Sequence, residues 1–134
     1  MPANKAAGIF SLSNIKKLKR KVKNVLILGL TFKENCPDIR NSKVFDIYNS
    51  LKKYDFHIDI FDPVVDIEKV KENHNIIMIS NLGKNKKYDV VILSVAHDLF
   101  KNFKEKDWSR LLSTNGFIFD IKGIAPRSLN PIRI

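Results

Sequence analysis

Val25-Leu26-Ile27-Leu28-Gly29-Leu30 is a near-continuous apolar run that ends in the polar, charged stretch Thr31–Asn41, after which apolar residues return at helical spacing. This passage constrains the fold more than any other. An unbroken apolar run is the mark of a strand buried on both faces, as in a parallel sheet whose helices cover each side. The stretch that follows holds Lys33 and Arg40, and Ser42 stands where it could cap the next helix. Backbone amides at a helix start, a point charge from Lys33 and the planar fork of Arg40 together suit a phosphate or pyrophosphate.

The rest of the chain repeats the alternation. Val44, Ile47, Tyr48 and Leu51 predict an amphipathic helix over roughly 43–54 with Ser42 at its cap. His57–Phe61 alternates as a second strand and closes on Asp62-Pro63, residues 66–73 fit a short helix, and Ile76–Ile79 reads as a short strand. Val90–Val95 is a second strongly apolar run, expected at the centre of the sheet, and Asp98 is expected to start a helix. Asp107 is expected to cap a helix carrying Trp108, Leu111 and Leu112, with Asn115-Gly116 as its C-terminal stop and Phe117–Ile121 as the last strand. The predicted fold is α/β: a Rossmann-like open parallel sheet with helices on both faces and right-handed crossovers, in a single domain over 24–134. Such sheets bind ligands at the carboxyl ends of their strands. Thr31–Asn41, Asp62-Pro63, Ala96–Phe100 and Lys122–Ala125 all fall on that edge.

Charge and composition narrow the function classes. At 134 residues the chain suffices for one domain with a substantial core. No apolar run approaches the roughly 20 residues needed to span a bilayer, and residues 1–15 lack the pattern of a secretory signal, so no membrane association and a cytoplasmic location are expected. The net charge of +10 is concentrated where Lys16, Lys17, Lys19, Arg20, Lys21 and Lys23 crowd together before the first strand. Such a block can neutralise nucleic-acid phosphates. It lacks aromatic residues for base stacking, so a solvated connector, partly helical or disordered over 1–23, is the preferred reading and nucleic-acid binding is not expected.

Several chemistries are disfavoured residue by residue. Cys36 is the only cysteine, and His57, His74 and His97 lie 17 and 23 residues apart, so no metal site is expected. Lys33 and Arg40 could lower the pKa of the Cys36 thiol, but no histidine lies near it in sequence to act as a base. The adjacent pair His97-Asp98 could orient an imidazole, although an Asp that starts a helix explains it more simply. The first strand–helix turn has Gly29 alone where a dinucleotide site carries three glycines, so the chain is not a self-sufficient NAD domain. Asp62 lies 33 residues beyond Gly29, too far for the usual ribose carboxylate, and a strand-ending Asp-Pro turn accounts for it. Asp38 and Arg40 are expected to pair or hold the turn in shape, with Arg40 left partly free for an anion.

The string Leu-Gly-Leu-Thr-Phe-Lys-Glu-Asn-Cys-Pro-Asp-Ile-Arg-Asn-Ser, residues 28–42, resembles the opening of the C-terminal, UDP-binding domain of the UDP-glucose/GDP-mannose dehydrogenases. Asp62-Pro63, Ala96-His97 and Phe119-Asp120-Ile121-Lys122-Gly123 follow in the family's order, so the resemblance spans about residues 24–125. The Glu-Asn-Cys-Pro-Asp-Ile-Arg form and the Asp-Ile-Lys-Gly ending look most like the branch acting on UDP-N-acetylhexosamines in bacterial capsule and O-antigen synthesis.

The resemblance implies a two-step, NAD-dependent oxidation of a sugar C6 alcohol to a carboxylate. It places Phe32 and Lys33 on the UDP-sugar and Arg40 on NAD held by a partner domain. Lys122 falls on the substrate where other branches use an arginine. It also implies N-terminal and central domains, carrying the glycine fingerprint, a Gly-Gly-x-Cys nucleophile and a dimer-forming helix, none of which occurs in these residues. Cys36 lacks the preceding glycines, so no catalytic residue is expected in this chain. The leading expectation is a UDP-sugar-binding domain of a 6-dehydrogenase, dimeric in the full enzyme. The alternative is a stand-alone nucleotide-binding or regulatory module without catalysis.

Overall fold

In the computed structural model, which describes residues 22–83 and 86–133, the first apolar run forms β1 (Asn24–Leu28). Side chains alternate across a strand, and here both sides are dry. Val25 and Ile27 join one apolar cluster and Leu26 and Leu28 another, and all four are fully buried. β1 therefore sits inside the sheet, hydrogen-bonded in parallel to β2 (His57–Phe61) on one side and β3 (Tyr88–Leu93) on the other. β4 (Leu112–Asp120) and the two-residue β5 (Ile132–Arg133) extend it, giving the order β2-β1-β3-β4-β5, parallel throughout. This is the expected Rossmann-like sheet.

Helices cover both faces. α1 (Val44–Leu51) and α2 (Ile67–His74) pack Val44, Ile47, Leu51 and Val70 onto the Val25 and Ile27 face. α3 (Asp98–Lys101) and α4 (Glu105–Leu111) put Phe100, Trp108 and Leu111 on the Leu26 and Leu28 face. Each such side chain, fully buried, contributes roughly 1.5–3 kcal/mol of transfer free energy. Among the described residues no helix is long and apolar enough to cross a membrane.

Local differences from the sequence expectations have physical causes. β1 ends at Leu28 because Gly29 adopts φ +98°, turning the chain so that its N–H donates to the Phe61 carbonyl at 2.9 Å. A Cβ there would lie 2.6 Å from Val95 Cβ, so only glycine permits the approach. α1 is shorter than expected, and its cap position is Lys43 rather than Ser42. Ser42 is buried and donates to the Leu30 carbonyl at 2.6 Å while accepting from Val44 N–H at 3.3 Å. It thereby ties the start of α1 to the end of the β1 run.

Ile76–Ile79 is not a strand; a single bond from Ile79 N–H to the Ile60 carbonyl, 3.1 Å, holds it beside β2. Asp107 is the third residue of α4, not its cap, and its carboxylate accepts from Lys104 N–H at 2.8 Å. Asn115-Gly116 does not stop a helix but lies within β4. There Tyr88 pairs with Leu112 and Val90 with Phe117, so β4 bulges against β3. A Cβ on Gly116 would meet the Tyr88 carbonyl at 2.7 Å. Of the basic block, only Lys23 falls within the described residues.

Candidate functional site

Loops leave the carboxyl edge of the sheet after β1, β3 and β4, and β1 and β3 are the neighbours at which strand order reverses. A cleft of about 380 Å³ opens there. Thr31–Glu34 line it from the first loop, Ser42–Val44 from the start of α1, Ser94–Ala96 from the loop after β3, and Lys122 from the loop after β4. This is the place where open α/β sheets take their ligands. Phe32, 55% exposed, presents an aromatic ring beside Lys33, and Lys43 and Lys122 add two further ammonium groups.

Backbone and charge are arranged tightly around this opening. Thr31 Oγ1 donates to the Lys33 carbonyl at 2.9 Å, and Phe32 N–H donates to the Asp38 carbonyl at 2.7 Å, folding the loop on itself. Asp120, at the end of β4, accepts from Gly123 N–H and Ala125 N–H, both at 2.8 Å, and so shapes the turn that carries Lys122. Glu34, the acid in the lining, reaches Lys101 Nζ at 3.3 Å. Among the described residues Lys33, Lys43 and Lys122 take part in no ion pair.

Asp62 lies beneath the loop. Its carboxylate is buried and accepts from Leu30 N–H (2.7 Å), Thr31 N–H (3.2 Å), Val64 N–H (2.8 Å), Val65 N–H (3.1 Å) and His97 Nε2 (2.8 Å). Burial pushes this carboxyl up, but the bonds from His97 and the Leu30 and Val64 amides outweigh it and hold the group below the usual carboxylate range. The turn explanation of Asp62-Pro63 is right as far as Val64 and Val65. The larger role, fixing the start of the loop after β1, depends on contacts about 30 residues away in sequence.

The sequence-predicted residues separate in space. Phe32, Lys33 and Lys122 meet in one cleft. Arg40 lies outside it, its side chain 86% exposed and held by Asp38 through Nε (3.0 Å) and a terminal nitrogen (3.1 Å). That is the expected pairing with Asp38, which keeps the Asp38 carboxyl below its ordinary range. Cys36 is a half-buried free thiol and does not line the cleft. Lys43 was missed by sequence reasoning, because with Ser42 read as the cap it counted only as helix surface.

His97 stands at the N-cap position of α3 without a side-chain capping bond, its ring fully buried against Asp62, and Asp98 does start that helix. Only the adjacency of His97 and Asp98 hinted that this position is more than a helix start.

The sequence and the fold both match known proteins. Residues 26–127 match the UDP binding domain of the UDP-glucose/GDP-mannose dehydrogenase family. A UDP-N-acetyl-D-glucosamine 6-dehydrogenase of Salmonella typhi is 40% identical over 111 residues, which cover 83% of this chain and 26% of that protein. Protein CapL of Staphylococcus aureus is 42% identical over 101 residues, 75% of this chain and 23% of its own length. An NDP-N-acetyl-D-galactosaminuronic acid dehydrogenase from Methanosarcina mazei Go1 shares the fold with a TM-score of 0.76 at 16% identity, over 94% of this chain and 26% of that one. The chain spans about a quarter of the length of these relatives. On the match over residues 26–127, the chain belongs to the UDP-glucose/GDP-mannose dehydrogenase family, as its UDP binding domain.

Proposed function

We propose that this chain is the C-terminal, UDP-holding part of an NAD-dependent 6-dehydrogenase that oxidises the C6 alcohol of a UDP-N-acetylhexosamine to a carboxylate for surface polysaccharide synthesis. The observation that carries the proposal is the cleft itself, in which an exposed aromatic ring stands beside three lysines at the reversal of strand order. Phe32 offers a flat apolar surface to the uridine half. Lys33 and Lys122, joined by Lys43, offer point charges to the diphosphate, which carries the charge that a UDP-sugar presents in any sugar series. The high identity to a UDP-N-acetyl-D-glucosamine 6-dehydrogenase favours the N-acetylhexosamine branch over the glucose branch.

NAD held by the other domains of such an enzyme would supply the hydride acceptor. Among the described residues the first strand–helix turn has one glycine and α1 starts beyond an eleven-residue loop, Thr31–Asn41, which does not suit the usual dinucleotide approach there. Arg40 is exposed and bonds Asp38 through Nε and one terminal nitrogen. It can meet an anion carried by a neighbouring domain.

Calorimetry of the chain with UDP, UDP-N-acetylglucosamine and NAD tests the reading. UDP and the UDP-sugar are expected to bind and NAD is not. Mixing the chain with the N-terminal and central domains of such a dehydrogenase is expected to give NADH formation. Absence of UDP binding at millimolar concentration, together with no NADH formation, would overturn the proposal. UDP binding with no NADH formation would favour the stand-alone module.

A further inference from the structure

We infer that His97 and Asn35 are positioning residues for the UDP cleft: a chain of hydrogen bonds that runs from buried Asp62 through buried His97 out to exposed Asn35 sets where Phe32 and Lys33 stand. The inference rests on the UDP-binding reading of that cleft.

Phe32 and Lys33 are exposed and belong to no helix or strand, so apolar packing does not fix them. Their segment is pinned instead at its two ends. At one end Leu30 N–H and Thr31 N–H donate to Asp62 Oδ2. At the other, Asn35 N–H donates to His97 Nδ1 at 2.9 Å. The imidazole joins the two ends, since its Nε2 lies 2.8 Å from Asp62 Oδ2 and 3.2 Å from Thr31 Oγ1. Because Nδ1 accepts from the Asn35 amide, the proton sits on Nε2, which donates to Asp62.

Asn35 is gripped further. Its φ of 58° is the left-handed conformation that Asn tolerates. Its Nδ2 donates to Asp98 Oδ1 and its Oδ1 accepts from Asp98 N–H, both at 3.0 Å. His97-Asp98 therefore holds Asn35 at three atoms, and neither Asn35, His97 nor Asp62 lines the cleft. These residues act on a ligand through the Thr31–Glu34 wall, in which Phe32 and Lys33 are the side chains suited to a UDP group. A polar ring kept fully buried at the junction of β3 and α3 is accounted for by that task, because every arm of the network is satisfied.

Two substitutions separate positioning from stability. His97→Gln keeps an amide nitrogen within reach of Asp62 but offers no acceptor to Asn35. His97→Asn offers an oxygen near the Nδ1 position and gives up the Asp62 arm. Both lose the ring packed 5.9 Å from Phe100, so both lower the melting temperature. His97→Gln is expected to weaken UDP binding roughly tenfold, the scale of one lost hydrogen bond, while His97→Asn stays within roughly threefold of wild type.

The His97→Gln loss is expected to shrink in a Lys33→Ala background, because one of the two side chains that the network places is then absent and the two effects are no longer additive. Amide hydrogen exchange at Asn35 is expected to accelerate in His97→Gln and much less in His97→Asn. Equal affinity losses that track melting temperature, or a His97→Gln effect that persists in full without Lys33, would reduce the network to a structural role. If the wild type bound no UDP the functional reading would fail, and the exchange comparison alone would decide the positioning: unchanged Asn35 exchange in His97→Gln overturns it. Should both His97 variants fail to fold, Asn35→Gly keeps the backbone and removes the Asp98 grip. Unchanged UDP affinity and unchanged exchange over residues 32–35 in that variant would likewise overturn the inference.

Discussion

Replacing Asp62 by Asn keeps the side chain's shape but removes its charge and turns one of its two acceptor oxygens into a donor. One oxygen accepts from Leu30 N–H, Thr31 N–H and His97 Nε2, and the other from Val64 N–H and Val65 N–H. Whichever way the amide turns, its NH₂ faces at least two N–H groups. A hydrogen bond to a charged group is worth about 1.5–3 kcal/mol, and a stranded buried donor costs a similar amount. Allowing for relaxation, Asp62→Asn is expected to cost about 3–5 kcal/mol at pH 7. The pH dependence follows from the depressed folded-state carboxyl of Asp62. Such a group contributes stability above its unfolded pKa of about 3.9, and that contribution is lost as pH falls through the lower folded value. Urea unfolding followed by circular dichroism from pH 7 to pH 3 measures the gap between the two proteins. Asp59 and Asp89, also held below the ordinary range, are common to both and cancel in the difference. A gap under about 1 kcal/mol at pH 7, or one that does not narrow in acid, would refute the account of Asp62.

Gly29→Ala combines an unfavourable φ with a Cβ 2.6 Å from Val95 Cβ and 2.8 Å from Val95 N, and is expected to destabilise by roughly 3 kcal/mol or more in chemical denaturation. Lys33→Ala is expected to leave the melting temperature near wild type while weakening UDP binding severalfold by calorimetry; a large thermal loss would make Lys33 structural. Arg40→Ala, which gives up its bonds to Asp38 outside the cleft, is expected to leave the melting temperature of the isolated chain near wild type and to weaken UDP binding only slightly, through the charge it uncovers on Asp38. UDP affinity is expected to fall severalfold between roughly 0.05 and 0.5 M salt, because exposed lysines are screened over about 4–14 Å in that range. Salt-independent binding would argue against a lysine-held diphosphate.

What the sequence disclosed about the fold follows from which contacts are local. β1 and β3 were legible because strands buried on both faces leave unbroken apolar runs. β2 was legible from its alternation. Asn115-Gly116 misled because a dipeptide with turn chemistry serves equally in a bulge, and only the Tyr88 carbonyl against Gly116 shows which use it has. Ile76–Ile79 misled in the opposite sense, being apolar enough for a strand but given a single bond to β2. At the site, Phe32, Lys33 and Lys122 could be grouped because the loops following parallel strands share one edge of the sheet. The support beneath them could not. Asp62 meets His97 across 35 residues and Asn35 meets His97 across 62, and no local period or cap signal encodes either pairing.

The sign of the cleft emerges from how its acids are paired. Glu34 lines an opening that is otherwise basic, and an unneutralised carboxylate there would repel a diphosphate across a few ångströms. Lys101, on α3, draws that carboxylate into an ion pair at 3.3 Å. Asp38, further along the same loop, is engaged by Arg40 in a two-point pair. Both acids of the loop are thus matched by basic partners that do not line the cleft, which leaves Lys33, Lys43 and Lys122 to set its potential. The α3 segment therefore acts twice on the first loop: Lys101 neutralises Glu34, and Asp98 grips Asn35 from the other end of the same helix. A cleft whose wall is already held and whose acids are already paired pays less ordering cost when an anion arrives. Its lysines, none of them in an ion pair among the described residues, can then turn their charge to the ligand.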